Sequence, residues 1–485
     1  MRQEVEIHAT TFVRCRPTGD RSLRAEPLVC LQLPIIKGLN QTIMIRLDDE
    51  RARSFLADDD LNTLWPDVQE AHEAVLNKTG AGSDMLGWRD LLLDPDDALL
   101  EDIEATAARL RRDADVLLCL GIGGSYLGAR AVISALTPYL QTHASDHSPS
   151  DDAPEGLSVD PTAPPEVRFA GHHTSGAYLQ ELLADLKGQS VFVNVISKSG
   201  TTLETALSFR VVREWMQDQY DNPSDRTIIT TDSDQGALNA LHETHDFYKK
   251  YVIPDDVGGR FSVLTPVGLL PIAAAGIDVR SFFYGAVSAC ETISADDEHA
   301  ALRYAALRYL LLNDGYDVEA LAVFEPKLQD VGRWWQQLFG ESEGKEGTGL
   351  FPTVVQYTTD LHSLGQYMQQ GQRNLIETFL MPETDPGNLT IPETADDGDG
   401  LNYVAGKTMS DVTHAAYDGT AQAHTDGGVP NMTLRFDEIA PGPIGELLYF
   451  FEHAVAVSGY LLDVNPFNQP GVEDYKREMY DRLGR

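Results

Sequence analysis

Six short segments of this chain carry residue types that could do chemistry. Gly121-Ile122-Gly123-Gly124-Ser125, with Gly128 after it, follows an apolar run and precedes a helical stretch. A strand, then glycines, then a helix aims backbone N–H groups and the positive end of a helix dipole at an anion. The spacing is not a dinucleotide fingerprint, whose third glycine would fall at Tyr126, nor a Walker loop, which would run into Gly-Lys-Ser/Thr. A tight turn packing helix on strand accounts for these glycines equally well. Ser197-Lys198-Ser199-Gly200-Thr201-Thr202 has the same setting and gathers four hydroxyls. One hydroxyl suffices to cap a helix. Four favour a phosphate, held by hydroxyls and N–H groups without an arginine.

The other four segments are weaker taken singly. In Asp255-Asp256-Val257-Gly258-Gly259-Arg260-Phe261-Ser262 the paired glycines can present Arg260 to an anion, and a bridge to the flanking aspartates is the simpler local reading. Gln337-Leu338-Phe339-Gly340-Glu341-Ser342-Glu343-Gly344-Lys345 offers Glu341 as a general base at a cleft, or else a solvated turn. His362, in Asp360-Leu361-His362-Ser363-Leu364-Gly365-Gln366, is an acid–base candidate or a structural histidine. Lys476 closes Asn465-Pro466-Phe467-Asn468-Gln469-Pro470-Gly471-Val472-Glu473-Asp474-Tyr475-Lys476; by itself it is a surface lysine.

Alternating strands and helices must position these segments. Residues 55–110 read as mostly helical, with Leu61, Leu64, Val68, Ala71 and Val75 at helical spacing. The runs Val116–Leu120, Val191–Ile196 and Arg226–Thr231 suit buried parallel strands, with helices expected over Arg130–Leu136 and Leu203–Gln217. Ala301–Leu312 reads as a helix, Ala320–Pro326 as a strand leading to a helix through Trp334 and Trp335, and Leu389–Glu393 as a further strand. This is an α/β pattern around parallel sheets. Three parts are expected: an atypical extension, 1–43; a helical lead-in with a first α/β domain, 44–285; and a second α/β domain with a C-terminal segment, 286–485. His143–Glu166, rich in Asp, Ser and Pro, reads as a mobile surface insertion, and Thr394–Gly400 as a loop.

Composition narrows the class. The chain has 485 residues, 75 Asp+Glu against 37 Lys+Arg and a net charge of −38. That excess opposes binding to nucleic acid or anionic lipid. The acids are mostly Asp and the bases mostly Arg, which reads as adaptation to a salt-rich cytoplasm. Residues 1–43 carry six basic and four acidic side chains, unlike the rest, and read as an over-long start or a dispensable extension without a secretory signal. Cys15, Cys30, Cys119 and Cys290 lack metal-ligand spacing, and Cys119 reads as a buried free thiol. Phe261–Ile277, the longest uncharged stretch, contains Pro266 and Pro271 and is too short to span a membrane. A cytoplasmic protein is expected.

Together the six segments resemble the glucose-6-phosphate isomerases, the shorter bacterial type in particular. Asp255–Gly268 (DDVGGRFSVLTPVG) and Gly459–Lys476 (GYLLDVNPFNQPGVEDYK) match the family's signatures at full length, and GIGGSYLGA, SKSGTT, FGESEGK and DLHSLGQ follow in the right order. The resemblance covers residues 55–476; the insertion and residues 1–43 depart from it. It implies two sugar-phosphate-isomerase (SIS) domains, each a parallel sheet flanked by helices in three αβα layers. It implies a homodimer with sites at the interface, no cofactor and no metal. Ser197, Lys198, Ser199, Thr201 and Thr202 would then bind the phosphate, and Gly123, Ser125 and Gln337 the sugar. Glu341 resembles the base, His362 and Lys476 the ring-opening pair, and Arg260 the arginine that stabilises the intermediate, with His362 serving the partner's site. Further readings are an isomerase that also accepts mannose 6-phosphate, a silent sugar-phosphate sensor, and a weaker NAD-dependent dehydrogenase.

Overall fold

In the computed structural model the described residues are 45–139, 164–384, 387 and 389–484. The extension 1–43 lies outside them, as does the insertion except for residues 164–166. Ten strands are described: β1 (Arg46–Asp48), β2 (Val116–Leu120), β3 (Glu166–Ala170), β4 (Val191–Ile196), β5 (Thr227–Thr231), β6 (Lys249–Val252), β7 (Val318–Val323), β8 (Phe351–Gln356), β9 (Leu375–Thr384) and β10 (Asn431–Glu438). They form two sheets within one unit, Met44–Arg485.

The first sheet is parallel throughout, in the order β3-β2-β4-β5-β6. Strands β2, β4 and β5 are buried along their whole length, as strands are when both sheet faces are covered. The second sheet has the order β1-β10-β9-β7-β8 and is parallel except for β1, which runs antiparallel to β10. The expected helices appear as Leu127–Leu136, Leu203–Gln219, Ala300–Asn313 and Gln329–Glu343. The expected strand at Leu389–Glu393 does not form; only an isolated bridge joins Thr390 to Thr408, and Leu389 is exposed. Thr394–Gly400 is a loop, and Cys119 is buried with a free thiol.

The main apolar core gathers helices from both halves of the chain. Helix Pro441–Leu461 is buried from Pro443 to Gly459 on every side and packs along Val279–Ala295. A fully buried polar network crosses this core. Arg308 Nε donates to Glu319 on β7 (2.6 Å), and its two terminal nitrogens grip both oxygens of Glu343 (2.5 and 2.9 Å). Ser458 and Arg308 are also bonded (3.0 Å), while Tyr304 and Thr378 donate to Glu319. The network therefore ties two helices and two strands to the end of Gln329–Glu343. No helix among the described residues is long and apolar enough to cross a membrane.

Candidate active site

From β2 the chain goes to β3 on one side and returns to β4 on the other. Such a switch opens a crevice at the carboxyl ends of the two middle strands, where open α/β sheets bind ligands. The glycine loop leaves β2 there, and the hydroxyl loop leaves β4. In the hydroxyl loop the Ser197 and Thr202 hydroxyls are bonded (3.2 Å), Gly200 N donates to Ser197 Oγ (3.1 Å), and Thr201 donates to Ser199 Oγ through both N and Oγ1 (3.2 Å each). Thr202 occupies the N-cap of Leu203–Gln219, yet its side chain makes no capping bond. Capping is thus not what the four hydroxyls do. Lys198 Nζ donates to the carbonyls of Pro254 and Asp255 (3.1 and 2.8 Å), fastening this loop to the segment that leads to Arg260.

Close backbone contact joins the glycine loop to the Arg260 turn. A Cβ at Gly124 would lie 1.9 Å from the Gly259 carbonyl oxygen, so only glycine allows the contact. Gly123 has φ +57°, and a Cβ there would come within 2.8 Å of Gln337 Nε2. Ser125 ends the same short turn, Gly123–Ser125, and is half-buried.

Arg260 is 2 % exposed. It does not bridge Asp255 or Asp256. Nε donates to Ser342 Oγ (2.8 Å), and Nη1 to Gln469 Oε1 (3.0 Å) and Glu341 Oε2 (3.4 Å). Nη2 donates to the carbonyls of Pro466 (2.6 Å) and Asn468 (3.1 Å). Burial pulls its pKa down to about 10, opposed by Glu341, so the guanidinium stays charged at neutral pH. Phe261 beside it stacks on Trp88 and packs against Phe467, which wedges the 465–469 segment in place.

Glu341 is the point where these elements meet. It sits near the C-terminal end of the amphipathic helix Gln329–Glu343 rather than in a solvated turn. Gln337, one helical turn earlier, donates Nε2 to Glu341 Oε1 (3.1 Å), and Arg260 holds the other oxygen. The carboxylate side chain remains 31 % exposed, open to a reactant while fixed at both oxygens. Gln337 Oε1 is buried without a partner, leaving an acceptor beside the glycine loop.

The two remaining sequence candidates lie apart from this cluster. His362 is exposed in the turn Thr359–His362 after β8, and no described contact joins it to Glu341. Lys476 lies on Val472–Leu483, the helix that follows the 465–469 segment, and pairs with Glu473 (2.7 Å), which raises its pKa. Sequence reading assigned no role to Ser342, Gln469 or Lys345, all of which contact this framework. The clue lay in the motifs themselves, for Ser342 and Lys345 sit inside FGESEGK and Gln469 inside NPFNQPG.

Comparison with known proteins points to one family. The family described as Phosphoglucose isomerase matches residues 106–379 and 399–481. A glucose-6-phosphate isomerase of Fusobacterium nucleatum is 46% identical over 443 residues, covering 91% of this chain and 96% of that protein. One from Heliobacterium modesticaldum is 49% identical over 429 residues, covering 88% and 93%. Among solved structures, a hypothetical protein of Thermus thermophilus superposes with a TM-score of 0.79 at 29% identity, covering 91% of this chain and 100% of that one. A glucose-6-phosphate isomerase of Chlamydia trachomatis shares the fold, with a TM-score of 0.73 at 19% identity over 88% of this chain and 86% of that one. With matches of this identity and extent on both sides of the crevice, the chain belongs to the phosphoglucose isomerase family.

Proposed function

We propose that this enzyme interconverts D-glucose 6-phosphate and D-fructose 6-phosphate by opening the sugar ring and passing through a cis-enediol. The observation that carries the reading is Glu341, a partly open carboxylate held between the Gln337 amide and the buried Arg260 guanidinium. Aldose–ketose isomerisation moves one proton between C2 and C1, which asks for one fixed base on one face of the carbons. Glu341 takes that part. Negative charge grows on the enediol oxygens, and a cation already desolvated by the fold stabilises it without reorganisation. Arg260 takes that part. The chemistry itself requires neither a redox cofactor nor a metal.

The hydroxyl loop, Ser197, Ser199, Thr201 and Thr202 with Lys198, receives the phosphate at the switch point of the first sheet. Gly123, Ser125 and the free Gln337 oxygen line the sugar. His362 and Lys476 exchange protons with the ring oxygen and O1 during opening. The protein acts as a homodimer in which His362 serves the partner's site. In support, His362 is exposed, and so are the apolar side chains of its sequence neighbours Leu364 and Tyr367. The halves 44–285 and 286–485 act as two SIS domains in the cytoplasm, the second sheet taking its edge strand β1 from the first half. A coupled assay tests the reading: purified protein with chelator should turn over fructose 6-phosphate, with mannose 6-phosphate run in parallel. Absence of turnover across salt concentrations overturns it.

A further inference from the structure

The segment 465–469 is neither helix nor strand, yet it must place the helix that carries Lys476. Two cations hold its backbone. Arg260 takes the carbonyls of Pro466 and Asn468 and the side chain of Gln469. Lys345 Nζ donates to the carbonyl of Asn465. The Asn465 side chain in turn accepts from Phe467 N (2.9 Å), which tightens the start of the segment. Lys345 is itself fixed by the turn after Gln329–Glu343: its N–H donates to Glu343 O (2.7 Å), and its carbonyl accepts from Thr348 N (2.9 Å).

We propose that Lys345 is a positioning residue for the acid–base set, clamping the 465–468 backbone together with Arg260 so that Lys476 and Glu341 stay in register. This deepens the isomerase reading and rests on it. Setting a second cation beside Arg260 costs energy in a half-buried place, but a charged donor grips a carbonyl about twice as strongly as a neutral one. The charges make sense as a balanced group. Glu341 and Glu343 on the helix end face Lys345, Arg260 faces it from its own turn, and residues 465–469 carry no ionisable side chain. Burial and Arg260 draw the Lys345 pKa down to about 8, against the pull of the two carboxylates. The ammonium is therefore charged below about pH 8 and is lost above it, so the clamp loosens on the alkaline side.

Lys345→Met, Lys345→Gln and Lys345→Arg are compared with the parent protein for kcat, KM for fructose 6-phosphate, the pH dependence of kcat and thermal unfolding. The methionine and glutamine variants should lose about tenfold to a hundredfold in kcat, as small misplacements of reacting groups do. KM and the melting temperature should change little, and the fall in kcat above about pH 8 should disappear. The arginine variant, charged throughout, should recover most of kcat and move that fall upward. Parental kcat and pH profile in Lys345→Met overturn the proposal. So does a loss of kcat that tracks the loss of folded protein in all three variants. An inactive parent protein would instead reject the isomerase reading, which keeps the two failures distinct.

Discussion

Glu341→Gln keeps the size of the side chain and an oxygen for Gln337 and Arg260 while removing the carboxylate proposed as the base. Isomerisation should fall by about 10²–10⁴-fold. Binding of fructose 6-phosphate, followed by calorimetry, should stay within a few-fold, because the hydroxyl loop is untouched. Loss of binding together with turnover would move Glu341 from chemistry to folding. The residue types of this site were legible in the sequence, but their partners were not. Arg260 lies close in sequence to Asp255 and Asp256, and local reasoning joins them. The fold instead sends the guanidinium to Ser342, Pro466 and Gln469, remote in the chain. No spacing rule reports such a contact, because only tertiary packing brings the segments together.

Among the elements, legibility followed burial pattern. Strand β2 is an unbroken apolar run, and β4 and β5, interrupted only by Asn194 and by threonines of high strand propensity, were also plain in the sequence. Strands β9 and β10 were missed because they bury polar residues: Glu377, Thr378, Asn431 and Thr433 interrupt the apolar run. The fold satisfies them pairwise, as where Tyr357 and His424 hold Glu377 (2.5 and 2.6 Å). Helix Pro441–Leu461 escaped notice for a different reason, since a helix buried all round has no solvent-facing polar stripe to give it a period. The Arg308 network makes a prediction on this scale. Arg308→Met strands Glu319 and Glu343 without their cation, and removal of one partner from a buried pair costs about 3–5 kcal/mol. Urea unfolding should show that loss, and adding Glu319→Gln and Glu343→Gln should restore part of it. Glu446 gives a pH-dependent test. It is buried, accepts from Ile45 N (2.9 Å), and burial raises its pKa from 4.5 to about 7. The folded state thus binds the proton more tightly than the unfolded chain. Its stabilising effect is complete below about pH 4.5 and is lost as pH rises through 7, amounting to about 3 kcal/mol at most. Glu446→Gln should flatten this part of the stability–pH curve relative to the parent; an unchanged difference between pH 5 and 8 (about those values) would contradict it.

At the scale of the whole molecule, 75 acidic against 37 basic residues leave −38 charges to repel one another in dilute buffer. Melting temperature and turnover should both rise from low salt to molar KCl, because screening shortens the range of that repulsion. Maximal stability without salt would remove the case for adaptation to a salt-rich cytoplasm. The site's cations, Arg260, Lys198 and Lys345, work against this background and are bonded inside the fold, so screening affects the surface more than the chemistry. One further property follows from β1. This three-residue strand closes the edge of the second sheet by pairing Arg46 with Arg435 and Asp48 with Thr433. A chain emerging from the ribosome exposes β1 early, yet its partner arrives only when nearly all the rest has been made. The first sheet, whose strands all lie between residues 116 and 252, can assemble long before that. The second sheet therefore cannot be completed piecemeal during synthesis, and the earliest of the described strands to leave the ribosome is among the last to find its neighbour.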